Sequence, residues 1–97
     1  MNRYKITIEY DGTNYSGWQK QINGPSIQSS IETALIKLTG EKSIIFGAGR
    51  TDAGVHALGQ VAHFELNKKF DVENIRDGLN QHLRPQPIAV LSAQKAD

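Results

Sequence analysis

A chain of 97 residues holds one small hydrophobic core and has no room for a second. Hydrophobic residues make up 38% and charged residues 22%, a globular composition, and the absence of cysteine excludes a disulfide scaffold, a thiolate metal site and a cysteine nucleophile. Lys and Arg number 11 against 10 Asp and Glu, a net charge of +1, so bulk charge does not mark a nucleic-acid partner and any such partner must be read by a local site. The opening Met1–Thr7 alternates polar and apolar without an apolar h-region, so no signal peptide is expected. No apolar run approaches the ~18–20 residues of a membrane span. The lack of cysteine is compatible with a reducing cytosol, and a cytoplasmic location is the expectation.

Residues 3–10 (RYKITIEY) put Tyr4, Ile6, Ile8 and Tyr10 on one face and Arg3, Lys5, Thr7 and Glu9 on the other, the pattern of a half-buried strand. Residues 11–25 (DGTNYSGWQKQINGP) have no period and read as a loop; a connection of that length in a small domain usually has a functional reason. From Ser26 the period becomes helical, with Ile27, Ile31, Ala34, Leu35 and Leu38 on one stripe, Ser26 as N-cap and Gly40 as the stop. Residues 43–48 (SIIFGA) and 60–66 (QVAHFEL) predict two further strands. Asp71 can cap a second helix carrying Val72, Ile75, Leu79 and Leu83, in which Gly78 costs ~1 kcal/mol relative to alanine. After Arg84-Pro85-Gln86-Pro87, residues 88–93 (IAVLSA) form the last strand.

The order β-α-β-β-α-β, joined by right-handed crossovers, predicts an α+β, ferredoxin-like split βαβ fold: a four-stranded antiparallel sheet with two helices on one face. The other sheet face is left bare. That fold carries many unrelated functions, so chemistry has to be sought in particular residues.

Those residues concentrate in 46–64, FGAGRTDAGVHALGQVAHF, where Gly47, Gly49, Gly54 and Gly59 surround Arg50, Asp52 and His56. Such glycine density between two strands suggests a shaped loop that brings something close to the main chain. The residues alone leave two readings open. Asp52 can close a turn on a backbone N–H two residues on, with Arg50 as its exposed ion-pair partner. Alternatively, the loop presents the Asp52 carboxylate to a substrate. A metal site is not expected, because a turn and a strand separate Asp52, His56 and His63 and no cysteine supports them. Neither a nucleophile elbow nor a phosphate loop is present.

GRTDAGVHALGQVAHF at 49–64 closely resembles the signature of the tRNA pseudouridine synthase A family. YDGTNYSGWQKQ at 10–21, SIQSSIETALIKLTGE at 26–41 and LNQHLRPQPIAVLSA at 79–93 resemble further stretches of that family, so the likeness covers essentially the whole chain. The resemblance implies an enzyme that isomerises uridine to pseudouridine at positions 38 to 40 of the tRNA anticodon arm, with no metal and no organic cofactor. It implies that Asp52 is the catalytic residue, either as a nucleophile forming a covalent intermediate or as a base taking a ribose proton. Arg50 becomes its supporting cation, holding the carboxylate ionised or filling the stack when the target base flips out; an ordinary ion pair or phosphate contact is the alternative. Thr51, Gly54 and His56 are motif positions that shape the loop around the substrate. Trp18, Gln19 and Gln21, with Tyr15 and Lys20 among them, can stack on or hydrogen-bond RNA, while Trp18 can equally anchor its loop to the core. Lys68, Lys69 and Arg84 can touch phosphates.

Family members are more than twice this length and build their cleft from two similar half-domains. Residues 1–97 are therefore expected to be the N-terminal half-domain, a fragment lacking the C-terminal half and inactive or nearly so alone. tRNA is the expected partner and no membrane is. The parent is expected to be a homodimer, and the bare sheet face of the fragment a self-association surface. The alternative is a non-catalytic RNA-binding ferredoxin-like module, against which QVAHFEL lacks the RNP1 run. An acylphosphatase-like enzyme shares the element order, but DGTNYSGWQKQ offers it no phosphate cradle.

Overall fold

Alternation in the first segment produces a strand, β1 (Asn2–Tyr10), in the computed structural model, which describes residues 1–13, 18, 26–47 and 57–96. Tyr4, Ile6, Ile8 and Tyr10 are buried along one face of β1, as the period of two requires. The helix α1 (Ile27–Thr39) starts where expected: the Ser29 N–H donates to Ser26 Oγ at 3.1 Å and the Ser26 N–H donates to Ser29 Oγ at 3.2 Å. This reciprocal pair satisfies donors that a helix start otherwise leaves open. At the other end the Gly40 N–H donates to Ile36 O at 2.8 Å. Ile27, Ile31, Ala34 and Leu35 turn inward.

The second strand, β2 (Phe46–Gly47), is shorter than the expected 43–48 among the described residues. Ser43 Oγ donates to Glu65 O at 2.8 Å, and the Ile45 N–H donates to the Glu32 carboxylate of α1 at 3.0 Å. The segment before Phe46 is thus tied to its neighbours through side chains, and a donor that would otherwise serve a ladder is directed to a helix. The third strand, β3 (Ala57–Leu66), begins earlier than the expected Gln60. α2 (Val72–Leu83) and β4 (Ile88–Ala96) complete the order, β4 running past the expected residue 93. Asp71 is the N-cap residue of α2 but makes no side-chain capping bond; its carbonyl accepts from the Ile75 N–H at 3.0 Å.

The four strands form one antiparallel sheet in the order β2-β3-β1-β4. This is the ferredoxin-like α+β layout. Ile75, Leu79 and Leu83 of α2 join the α1 stripe and the inner residues of β1, β3 and β4 in one core. The helices come close at Gly78, where an added Cβ would lie 2.4 Å from Leu38 Cδ1. The glycine that weakens the helix locally is therefore what lets the two helices meet. Fully buried Tyr4 is also satisfied: its hydroxyl accepts from the Phe70 N–H at 2.8 Å and donates to Phe70 O at 3.1 Å.

Candidate active site

Tyr10, the last residue of β1, pairs with Ala57 at the start of β3 on one side and with Ile88 at the start of β4 on the other. The connections 11–25, 48–56 and 84–87 are therefore all attached to the sheet at or toward one end. A direct bond ties two of them, the Asp11 N–H donating to Pro87 O at 3.0 Å. Asp11 then closes a side-chain turn, its carboxylate accepting from the Thr13 N–H at 2.9 Å and from the Thr13 hydroxyl. The signal for that turn was legible in Asp11-Gly12-Thr13.

Trp18 is 3% exposed, with its ring 6.4 Å from that of Tyr10 and tilted by 34°. Its carbonyl accepts from the Gln28 N–H at 2.9 Å. Trp18 thus ties the long loop to the first turn of α1 and to the end of β1, which is the anchoring role. Arg50, Thr51, Asp52, Gly54 and His56, together with Gln19 and Gln21, lie outside the described residues, as do Tyr15 and Lys20.

The frame that carries the 48–56 segment is well defined. The chain leaves β2 at Gly47, opposite Ala62, and enters β3 at Ala57, opposite Tyr10. Between Ala57 and the regular part of β3 the register with β1 shifts: Ile8 pairs with Gln60 and Glu9 with Leu58, leaving Gly59 as an extra residue at φ +113°. A glycine inside a strand pattern is a known mark of a bulge, and at Gly59 that mark goes unused in the simple alternation of 60–66.

The sheet face away from the helices carries Arg3, Lys5, Val61 and His63, which with Ala96 line a shallow depression. Phe46 stacks on His63 at 5.3 Å and 22°. Arg3 pairs with Glu65 at 3.1 Å. Among the described residues, the groups with displaced pKa values are Glu41, Lys95, Arg76 and Asp77. Backbone N–H groups of Asn67 and then Lys68 lower the pKa of Glu41, Lys69 beside Lys95 lowers that of Lys95, and on α2 the Arg76–Asp77 hydrogen bond raises the pKa of Arg76 and lowers that of Asp77. Lys68 and Lys69 sit beyond Leu66, at the opposite end of β3 from Ala57, while exposed Arg84 opens the α2–β4 connection near Tyr10. Among the described residues no group of His, Asp and Glu could hold a metal ion, and no helix is long and apolar enough to cross a membrane.

The family model for tRNA pseudouridine synthase matches residues 6–97. The chain is 60% identical over 94 residues to the tRNA pseudouridine synthase A of Afipia carboxidovorans, covering 97% of this chain and 38% of that protein. It is 55% identical over 95 residues to the tRNA pseudouridine synthase A of Maricaulis maris, with 98% and 38% covered. The same-named protein of Rhodopseudomonas palustris is 60% identical over 94 residues, with 97% and 38% covered. The chain therefore spans well under half the length of these curated relatives. Because the match runs from within β1 through both helices and all later strands, the chain belongs to the tRNA pseudouridine synthase family.

Proposed function

We propose that these residues are the N-terminal half-domain of an enzyme that isomerises uridine to pseudouridine in the tRNA anticodon arm, at positions 38 to 40, with Asp52 as the catalytic carboxylate. The observation that carries this reading is the Gly49–His56 run, GRTDAGVH, inside a chain that matches the family over residues 6–97. In the reaction the N1–C1′ bond of the nucleotide breaks, the uracil turns, a C5–C1′ bond forms, the proton on carbon 5 is released and N1 takes up a proton, so that substrate and product are isomers. No water attacks and no base leaves the product, so a single carboxylate suffices where a hydrolytic glycosidase needs a pair. Asp52 acts as nucleophile at the ribose or as base on a ribose proton. Arg50, two residues earlier, keeps that carboxylate ionised, since an adjacent cation lowers a carboxylate's pKa. Thr51, Gly54 and His56 hold the loop around the substrate, and Gln19 and Gln21 contact the RNA.

The relatives' greater length leaves room for a second half-domain that completes the cleft. The whole protein acts in the cytoplasm as a homodimer, needing neither metal nor organic cofactor. Tritium release from tRNA labelled at carbon 5 of uridine tests the reading. The full-length protein should release tritium and its Asp52→Ala variant should not. Release that survives Asp52→Ala would remove the catalytic assignment. No release by the unmutated protein, with tRNA still bound, would leave a non-catalytic RNA-binding module as the better account.

A further inference from the structure

The sheet face away from the helices is not evenly polar. On β1 it carries Arg3, Lys5, Thr7 and Glu9, as the wet face of an antiparallel sheet should. Around β2 the alternation brings apolar side chains to the surface instead: Ile44 is 59% exposed and Phe46 55%, with buried Ile45 between them. Phe46 stands opposite His63 in the ladder and stacks on it at 5.3 Å. His63 in turn pairs with Lys5, and Arg3 with Ala96. The stacked pair therefore runs into the depression lined by Arg3, Lys5, Val61, His63 and Ala96.

Single apolar residues on a surface need no partner, but adjacent ones beside a concavity mark a contact. The charges on this face bear on what makes it. Arg3 and Lys5 are matched by Glu9 and Glu65, and Arg3 is already paired with Glu65 at 3.1 Å. Such a balance gives a phosphate backbone little to hold. The chain itself is better placed. Ala96, the last residue of β4, lines the depression, and β2 lies three strand spacings across the sheet. At about 4.8 Å per spacing the crossing is about 14 Å, which about five extended residues span.

We propose that in the full-length protein the segment directly after Asp97 crosses the outer face of the sheet and lays an apolar side chain on the Phe46–His63 pair. This rests on residues 1–97 being the N-terminal half of the synthase. The chain covers 38% of the curated relatives, which leaves ample length for such a segment. A tethered segment meets the face at an effective concentration of about millimolar, well above that of a second copy in dilute solution. The outer face thereby becomes a second, smaller apolar contact that joins the two halves of the protein.

The test is hydroxyl-radical footprinting of the full-length protein, read residue by residue by mass spectrometry, with and without tRNA and over a range of protein concentrations. Ile36 on α1, 42% exposed, is the internal reference. Without tRNA and at every concentration, Phe46 should react about tenfold more slowly than a ring 55% exposed, as a side chain left about 5% exposed does. A second measurement exchanges Phe46 for the photoreactive p-benzoylphenylalanine. Its crosslinks should fall within about fifteen residues after Asp97, the reach of a segment crossing the face and turning back. Protection that appears only with tRNA makes RNA the occupant, and protection that grows with protein concentration makes it a second copy. Either result overturns the proposal, as do a Phe46 that stays reactive throughout and crosslinks confined to distant parts of the chain. Tritium release is recorded on the same preparation. Failure of the synthase reading would show there as absent release, and the footprint would be unaffected.

Discussion

The Glu41 carboxylate accepts the Asn67 N–H at 2.7 Å and the Lys68 N–H at 3.1 Å, joining the α1–β2 connection to the turn after β3. Those backbone bonds hold its pKa below the ordinary carboxylate value. A carboxyl group whose folded pKa is depressed stabilises the fold above its unfolded pKa of about 4.3, and that contribution disappears as pH falls through the lower folded value. Glu41→Gln should therefore lower the melting temperature at pH 7, and its distance from the parent should narrow as pH falls through and below the ordinary carboxylate range. A gap between the two proteins that stays constant across that range would exclude the linkage. Gly78 gives a second case. On an isolated helix Gly→Ala gains ~1 kcal/mol, but here the new methyl meets Leu38, with Cδ1 at 2.4 Å, Cδ2 at 3.0 Å and Cγ at 3.2 Å. Overpacking costs about 1–3 kcal/mol, so Gly78→Ala should destabilise by about 1 kcal/mol. In a Leu38→Ala background the same change should become neutral or stabilising. Additive effects in that double-mutant cycle would show that the clash is not the cause.

At the scale of elements, β4 is an edge strand protected by a helix side chain. Asn80 of α2 donates its amide N–H to Val90 O at 3.0 Å and accepts the Val90 N–H on its oxygen at 2.7 Å. Both backbone groups at that position are thereby taken out of the pool open to another chain. Asn80→Ala should cost about 1–3 kcal/mol, the penalty for partly buried groups losing their partner, and Asn80→Asp should also destabilise because a carboxylate cannot donate to Val90 O. Urea midpoints unchanged from the parent in both variants would show that Val90 finds other partners. The periodicities that predicted β1, α1 and α2 held because their apolar stripes face one core, which both helix period and strand period report directly. β2 and the start of β3 were read less well. Ile44 and Ile45 look like strand residues by type, but the Ile45 donor goes to Glu32, and no local pattern announces a helix carboxylate from a distant turn. The bulge at Gly59 hides two paired residues, Ala57 and Leu58, behind a break in alternation, although the glycine itself was a cue.

For the whole molecule, one apolar cluster draws on β1, β3, β4, both helices, Trp18 and Ile45, and the radius of gyration is 12.3 Å. A folded domain of 100 residues has about 13 Å, so these residues have the dimensions of a self-sufficient folding unit. The architecture was legible because element order and handedness leave few ways to arrange it. The chemistry was legible in a different way: Arg50 and Asp52 stand out by resemblance, whereas composition and spacing alone favoured reading Asp52 as a turn residue. The two kinds of information concern different lengths of chain. The core closes within these 97 residues, while the curated relatives extend well beyond the matched region. Folding and catalysis should therefore separate. The 97-residue chain should unfold in one cooperative transition, with far-UV and near-UV signals lost together, yet release no tritium from C5-labelled tRNA. A full-length protein should do both, and Trp18→Ala should weaken the cooperative transition in either length, because that ring joins the long loop to Tyr10. Non-coincident transitions in the short chain would mean that its core depends on residues beyond it. Tritium release by the short chain would mean that one half-domain presents Asp52 productively without the rest of the cleft, and the division of labour proposed between the halves would fail.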